Sequence, residues 1–363
     1  VESNESAADR PDRAGLSEAE LEARIDKLVA EAGVTRQRTL IRRILATGLG
    51  LGQDDTTRLD LKITAAAVEE MRNAFRLFAP YRDAPKVTIF GSARTQSHDP
   101  LWESAERSAR GLAEQGWFVV TGAGPGIMEA AATGAGPEQS LGVSIRLPFE
   151  EAPSLVLAGL DRSVSMKYFF TRKLMLVKES HGFICLPGGF GTMDETFELL
   201  TLQQTGKMDP MPIVLLDRPG GSFWRGFARF VTRELAGSGY IAVNDLDRVV
   251  VTDDPERAIA AVTGFWRNYD SQRWHGERLV LRLGAEPTDA ELAELNERFS
   301  GLCLEGGITR TPPSDAELRD GDRVDLPRIV FTPRQRAVGD LYRLIEALNE
   351  LESAPDTPVL PGE

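Results

Sequence analysis

Between positions 186 and 195 the chain reads LPGGFGTMDE. Three glycines crowd a turn between an apolar run and a helical pattern, which lets backbone N–H groups approach an anion closely. No lysine follows the last glycine, so the loop is not a P-loop. Two carboxylates follow instead. With a helix beginning near Thr192, Glu195 lies three residues on, about 4.5 Å further along the axis, and the two share a face. A phosphate held by the N–H groups of Gly189, Gly191 and Thr192 would leave the rest of its ligand within reach of the Glu195 carboxylate. Asp194 and Glu198 read instead as acids favoured in the first turns of a helix.

Two further glycine turns stand at the ends of apolar runs. One is Phe90-Gly-Ser-Ala-Arg94. The other is Thr121-Gly-Ala-Gly-Pro-Gly-Ile-Met-Glu129, which offers Gly124 and Gly126 to a ligand. Each alone serves equally as a tight strand-to-helix turn; three together can line one crevice. Upstream of the opening loop lies a helical stretch, FFTRKLMLVK. Its Phe170, Leu174, Val177 and His181 follow i, i+4, i+7, i+11, which predicts a core-facing stripe. Arg172 and Lys173 fall off that stripe, and Arg172 is expected to point into the crevice and meet the ligand or Glu195.

Such loops need strands to end on. The runs at 86–91, 117–122, 141–147, 181–187 and 212–217 are short and almost continuously apolar. Helical-period stretches at 100–115, 125–134, 169–180, 192–205 and 222–236 separate them. Continuous apolar strands alternating with helices predict an α/β fold: a Rossmann-like, doubly wound, mostly parallel sheet with helices on both faces. In such a sheet ligands bind outside the carboxyl ends of the strands. A strand at 247–253 and a helix from Pro255 add a last unit.

The rest of the chain divides as follows. Residues 1–15 read as a disordered leader. A helical N-terminal extension covers 16–84, with helices expected at 17–32, 35–49 and 60–78. The first is announced by a capping box at Ser17-Glu-Ala-Glu20. The Rossmann-like core spans 85–270. A small α+β appendage, read as β-α-β-α, covers 271–355, with strands at 278–283 and 325–333 and a helix capped at Thr288. A loose tail closes at 356–363.

The net charge of −13 argues against a nucleic-acid-binding surface, which would be basic, but leaves room for a small anionic ligand. No run approaches a membrane span. Cys185 and Cys303 provide neither a disulfide framework nor a zinc site, and His98, His181 and His275 lack ligand spacing. A cytoplasmic protein without metal or cofactor is therefore expected.

These residues resemble the LONELY GUY family, also catalogued as a "lysine decarboxylase family". Its P-G-G-x-G-T-x-x-E pattern is matched by Pro187, Gly188, Gly189, Gly191, Thr192 and Glu195, and its Arg-Lys pair by Arg172 and Lys173. TIFGSART, VVTGAGPGIMEAA, IRLPFE, YFFTRK and LTLQQTGK are similar to the longer bacterial branch. The resemblance covers about residues 85–270. It implies hydrolysis of the N-glycosidic bond of a nucleoside 5′-monophosphate, AMP or a cytokinin riboside 5′-monophosphate, to free base and ribose 5-phosphate. It implies a homo-oligomer, dimer or larger. By the same resemblance Arg172 and Glu195 are the catalytic pair, and Gly188, Gly189, Gly191 and Thr192 hold the phosphate. Ser92 and Arg94 then add phosphate or ribose contacts and Lys173 joins the substrate contacts, while Met128 and Met166 either line the base site or, as methionines more often do, pack in the core. Short plant-type members carry a Met-His dipeptide close before the Arg-Lys pair. Here Met166-Lys-Tyr-Phe-Phe-Thr171 intervenes, which implies a different base pocket.

Two other readings use the same loops. One is a nucleotide-binding sensor or carrier without turnover, which would not need both Arg172 and Glu195. The other is a pyridoxal-phosphate decarboxylase, which would need a Schiff-base lysine and an acid partner for the ring nitrogen. No lysine stands in a context that marks it for that role.

Overall fold

The computed structural model describes residues 16–147, 155–157, 159–334 and 338–357. The expected leader, and the expected tail beyond 357, lie outside the described residues. The chain forms two compact units, which divide between Val68 and Glu69. In the first, Ser17 opens helix α1 (Glu18–Glu31) through the capping box: its hydroxyl accepts the Glu20 N–H, and the Glu20 carboxylate accepts the Ser17 N–H. Helix α2 (Arg38–Gln53) follows, beginning three residues later than the pattern suggests. Helix α3 (Arg58–Phe78) contains the division between the units.

In the second unit strands and helices alternate. The first half runs β1 (Lys86–Phe90), α4 (Pro100–Glu114), β2 (Phe118–Thr121), α5 (Ile127–Ala135), β3 (Ser140–Ile145), β4 (Ser163–Met166) and α6 (Phe169–Lys178). The second half runs β5 (Phe183–Cys185), α7 (Phe190–Gln204), β6 (Ile213–Leu216), α8 (Phe223–Phe230), β7 (Val249–Thr252) and α9 (Pro255–Gly264). The seven strands make one parallel sheet in the order β4-β3-β2-β1-β5-β6-β7. Every residue of β1 and β6 is buried, as nearly continuous apolar runs require when both faces are covered. Strand β4 escapes the sequence pattern because it is an edge strand, with Ser163 and Ser165 exposed.

The order matters for function. Strands β2 to β4 are added on one side of β1 and β5 to β7 on the other. The chain thus reverses direction of travel at β1, and a crevice opens beyond the carboxyl ends of β1 and β5. The glycine loops after β1, β2 and β5 meet there.

After α9 the chain forms β8 (Tyr269–His275), β9 (Arg278–Leu283), α10 (Asp289–Arg298), β10 (Cys303–Arg310), α11 (Asp315–Asp320), β11 (Arg328–Pro333) and α12 (Val338–Glu350). These strands form an antiparallel sheet in the order β10-β11-β9-β8. The sequence reading has only β9 and β11. It misses β8 because YDSQRWH is polar, and β10 because two glycines and two register shifts break its alternation. This sheet is not packed apart from the first. Val87, Ile89, Ile184 and Val214 of the parallel sheet share one buried cluster with Leu281, Ile329 and Leu348. The Tyr342 hydroxyl on α12 accepts the Met211 N–H at 3.0 Å, just before β6.

Among the described residues no helix is long and apolar enough to cross a membrane.

Candidate active site

A cavity of about 990 Å³ occupies the crevice, within the range of small-molecule sites. Its floor is built from the three glycine turns. The first supplies Ser92 and Arg94, the second Gly122, Gly124 and Met128, and the third Gly188, Gly189, Gly191 and Thr192. Arg172 and Lys173 enter from α6, and Glu195 from α7.

Helix α7 begins at Phe190, two residues before the expected start, with Gly189 as its N-cap. Met193 is the first residue whose N–H returns to the helix, bonding Gly189 O at 3.0 Å. The N–H groups of Phe190, Gly191 and Thr192 have no acceptor within the helix, as at every helix start. They and the helix dipole favour an anion at this point. The loop after β1 is laced beside them: Ser92 N–H donates to Pro187 O at 3.1 Å, and the Ser92 hydroxyl accepts the Arg94 N–H at 3.1 Å.

One turn further along α7 stands Glu195, whose Oε1 accepts from Arg172 Nη1 at 3.2 Å. Both side chains are largely buried. Arg172 is held from a second direction, since its Nε donates to Val143 O on β3 at 3.0 Å. Gly122 makes room for it: a Cβ there would stand 2.1 Å from Arg172 Nη2. Burial pushes the Glu195 carboxyl above the usual carboxylate range; Arg172 and Lys173 oppose the rise, and Asp194 and Glu198 add to it. A carboxylate so placed is a stronger base than one in water and still lies against a fixed cation.

Lys173 lines the cavity, but its ammonium is engaged, 2.8 Å from Asp194 Oδ2 and 3.2 Å from Glu198 Oε2. Burial works against that charge, and the bonds to the two acids outweigh it and raise the pKa. Asp194 and Glu198, read as helix-turn acids, thus tie α7 to α6.

Three expectations need correction. Met166 does not reach the cavity: it is fully buried at the end of β4, in a core with Phe78, Val120 and Met175. Gly126 does not line the cavity either. It has φ +70°, and a Cβ there would lie 2.3 Å from Ser92 O, so it lets the second turn press against the first. The stripe expected on α6 holds only in part: Phe170 and Leu174 are about half exposed, Val177 and His181 are partly buried, Val177 against the core around Phe183, and Thr171, Arg172, Met175 and Leu176 are the buried face. Periodicity places the buried face on Phe170 and Leu174, whereas packing turns Arg172 and Met175 inward.

The apolar walls escape the sequence reading. They include Ile145, Phe169, Phe190, Phe223, Phe227 and Phe230. Phe190 is 96% exposed at the mouth. The 223, 227, 230 spacing on α8 is a visible aromatic stripe, but spacing alone cannot distinguish a stripe facing a cleft from one facing the core. Cys185, at the end of β5 behind Glu195, is fully buried, and burial pushes its thiol well up. Among the described residues no three His, Cys, Asp or Glu side chains gather as metal ligands do.

The family model described as "Possible lysine decarboxylase" matches residues 126–262. A relative from Mycobacterium tuberculosis, a cytokinin riboside 5′-monophosphate phosphoribohydrolase, is 31% identical over 47% of this chain and 89% of its own length. One of the same name from Rhodococcoides fascians is 31% identical over 51% of this chain and 92% of its own. Among solved structures, the molybdenum cofactor binding protein of Rippkaea orientalis is 22% identical, covering 48% of this chain and 93% of that one at a TM-score of 0.35. The matched region contains α6, the loop after β5 and α7, where Arg172 faces Glu195. By the family model and these two relatives the chain belongs to the LONELY GUY family, and both relatives are phosphoribohydrolases, enzymes of the N-glycosyl hydrolase type.

Proposed function

We propose that the chain hydrolyses the N-glycosidic bond of a nucleoside 5′-monophosphate, AMP or a cytokinin riboside 5′-monophosphate, releasing free base and ribose 5-phosphate. The observation that carries this reading is the buried Arg172–Glu195 pair, 3.2 Å apart, one helical turn from the open N–H groups of α7 in the same cavity.

In this reading the phosphate sits on the first turn of α7, beside the Ser92 hydroxyl and the Arg94 guanidinium. That anchor fixes the ribose, so that binding energy goes into placing C1′ by the Glu195 carboxylate. As the C1′–N bond breaks, its electron pair leaves with the base and positive charge develops on the ribose ring. Glu195 stabilises that charge and takes a proton from the water whose oxygen bonds C1′. The proton passes to the departing base or to solvent. Arg172 keeps the carboxylate oriented and ionised. Met128 and the phenylalanines of α8 offer apolar walls for the base, with room beyond it for an apolar substituent.

The test is base release from AMP and from isopentenyladenosine monophosphate, with wild type beside Glu195→Gln. Turnover that falls about 10²–10⁴-fold in the variant, the usual worth of a positioned acid–base group, is the expected result. The ratio of the two substrates reports the base preference. A wild type that binds both nucleotides and releases nothing would instead make the chain a nucleotide sensor or carrier.

A further inference from the structure

The helix that carries Arg172 lacks a cap of its own. Tyr168 is the N-cap of α6 and makes no side-chain capping bond. Its aromatic ring has no acceptor to offer the N–H groups that every helix start leaves open. The approach to this helix is held instead from almost a hundred residues away, through the two residues before it and the Thr171 hydroxyl, which also lies 2.8 Å from Tyr168 O. Glu70, on α3, points its carboxylate at the start of α6. Oε1 accepts the Lys167 N–H at 2.8 Å, while Oε2 accepts the Tyr168 N–H at 3.5 Å and lies 2.7 Å from the Thr171 hydroxyl.

Glu70 is itself only 7% exposed. A carboxylate is buried at that depth only where its lone pairs are met. Here they meet the start of α6, where negative charge is also favoured by the helix dipole. Ala74 and Phe78, one and two turns along α3, pack into the core with Met166, Met175 and Leu176. Glu70 is therefore held rigidly and α6 is clamped at its first turn. Thr171, the residue it grips, directly precedes Arg172.

We propose that Glu70 is a positioning residue for the active site: it fixes the rotation of α6 about its axis, and with it the alignment of the Arg172 guanidinium on Glu195. The proposal rests on the function proposed above for the Arg172–Glu195 pair. Glu70 lies outside the residues that the family model matches, 126–262. Turning α6 by about 10° would swing a guanidinium held about 6 Å from the axis by roughly 1 Å, a misplacement of the size that costs rate steeply.

The experiment compares wild type with Glu70→Gln, Thr171→Val and Thr171→Ser. The first two should lower kcat about tenfold with KM changed less than about twofold, the split expected when alignment rather than binding is lost. Thr171→Ser, which keeps the hydroxyl, should retain most of the rate. The acidic limb of the kcat–pH profile supplies the readout that mere destabilisation would not move. Glu195 is faced by Arg172 and Lys173 from α6, by Asp194 and Glu198 on its own helix, and by the Cys185 thiol from β5. Loosening Arg172 alone removes the nearest cation, so the limb should move to higher pH in Glu70→Gln. A limb that stays in place while rate falls in step with thermal stability would overturn the proposal, as would a Thr171→Ser variant as impaired as Thr171→Val. Should wild type release no base at all, the proposed activity fails by itself. The Glu195 carboxyl, followed by ¹³C NMR and assigned by its loss in Glu195→Gln, then decides. A titration moved upward in Glu70→Gln upholds the role of Glu70, and an unmoved one ends it.

Discussion

At the scale of single residues, the proposed reaction would turn on a carboxyl that burial makes more basic, against the opposing pull of one arginine. The sign of its pH dependence follows. Glu195 must be ionised to stabilise positive charge or accept a proton, and burial raises the pH at which it ionises. Base release should therefore fall on the acid side at a higher pH than an ordinary carboxylate would give. Arg172→Ala, which removes the main opposing charge, should move that fall higher still and lower the plateau. A pH–rate profile in wild type and variant checks both statements; an acid limb at the position of an exposed glutamate would mean that Glu195 is not the group titrating.

At the scale of elements, the pair is assembled by contacts that no single segment contains. Helix α6 brings Arg172, α7 brings Glu195, β3 supplies the Val143 carbonyl, and the turn after β2 leaves a space the size of a missing methyl group at Gly122. Gly122→Ala is the sharpest probe of this assembly. Its Cβ would meet Arg172 Nη2 at 2.1 Å and Met128 Sδ at 2.7 Å. The guanidinium must then move, and base release should drop about 10–100-fold while circular dichroism and thermal midpoint stay near wild type. Unchanged activity would show that Arg172 has slack the packing does not suggest. The sequence quotes Gly122 within a glycine-rich turn yet gives no reason to choose it over Gly124 or Gly126. What separates the three is what stands opposite, the Arg172 and Met128 side chains at Gly122, Met128 alone at Gly124 and the backbone of Ser92 and Ala93 at Gly126, and that is a fact of packing.

At the scale of the whole second unit, the polar C-terminal segment is part of the body rather than an attachment to it. Leu281 on β9 is fully buried in the cluster that also holds Val87 and Ile184 of the parallel sheet. Leu281→Ala should cost about 2–5 kcal/mol and lower the thermal midpoint of a single transition that includes loss of nucleotide binding. Two separated transitions, with the site surviving the first, would mean that residues beyond 270 fold apart from the core. The composition change near residue 270 looks like a boundary in the sequence because the edge strand β8 is mostly polar, although all of its residues but Trp274 are buried or half-buried. Which apolar residues lie across from them is not a local property.

The sequence by itself determined the parallel α/β sheet, the three glycine turns at strand ends, and the residues able to hold an anion beside an acid. These follow from local rules: continuous apolar runs for strands covered on both faces, helical periodicity between them, and glycine where backbone must come close. Tertiary structure decided which face of α6 is buried, that Met166 is core while the phenylalanines of α8 line the cavity, and that Glu70 holds the approach to α6 through Lys167, 97 residues on in the chain. The reason is physical: burial and electrostatics depend on what lies opposite in space. A pattern of residue types along one segment contains only its own half of each contact.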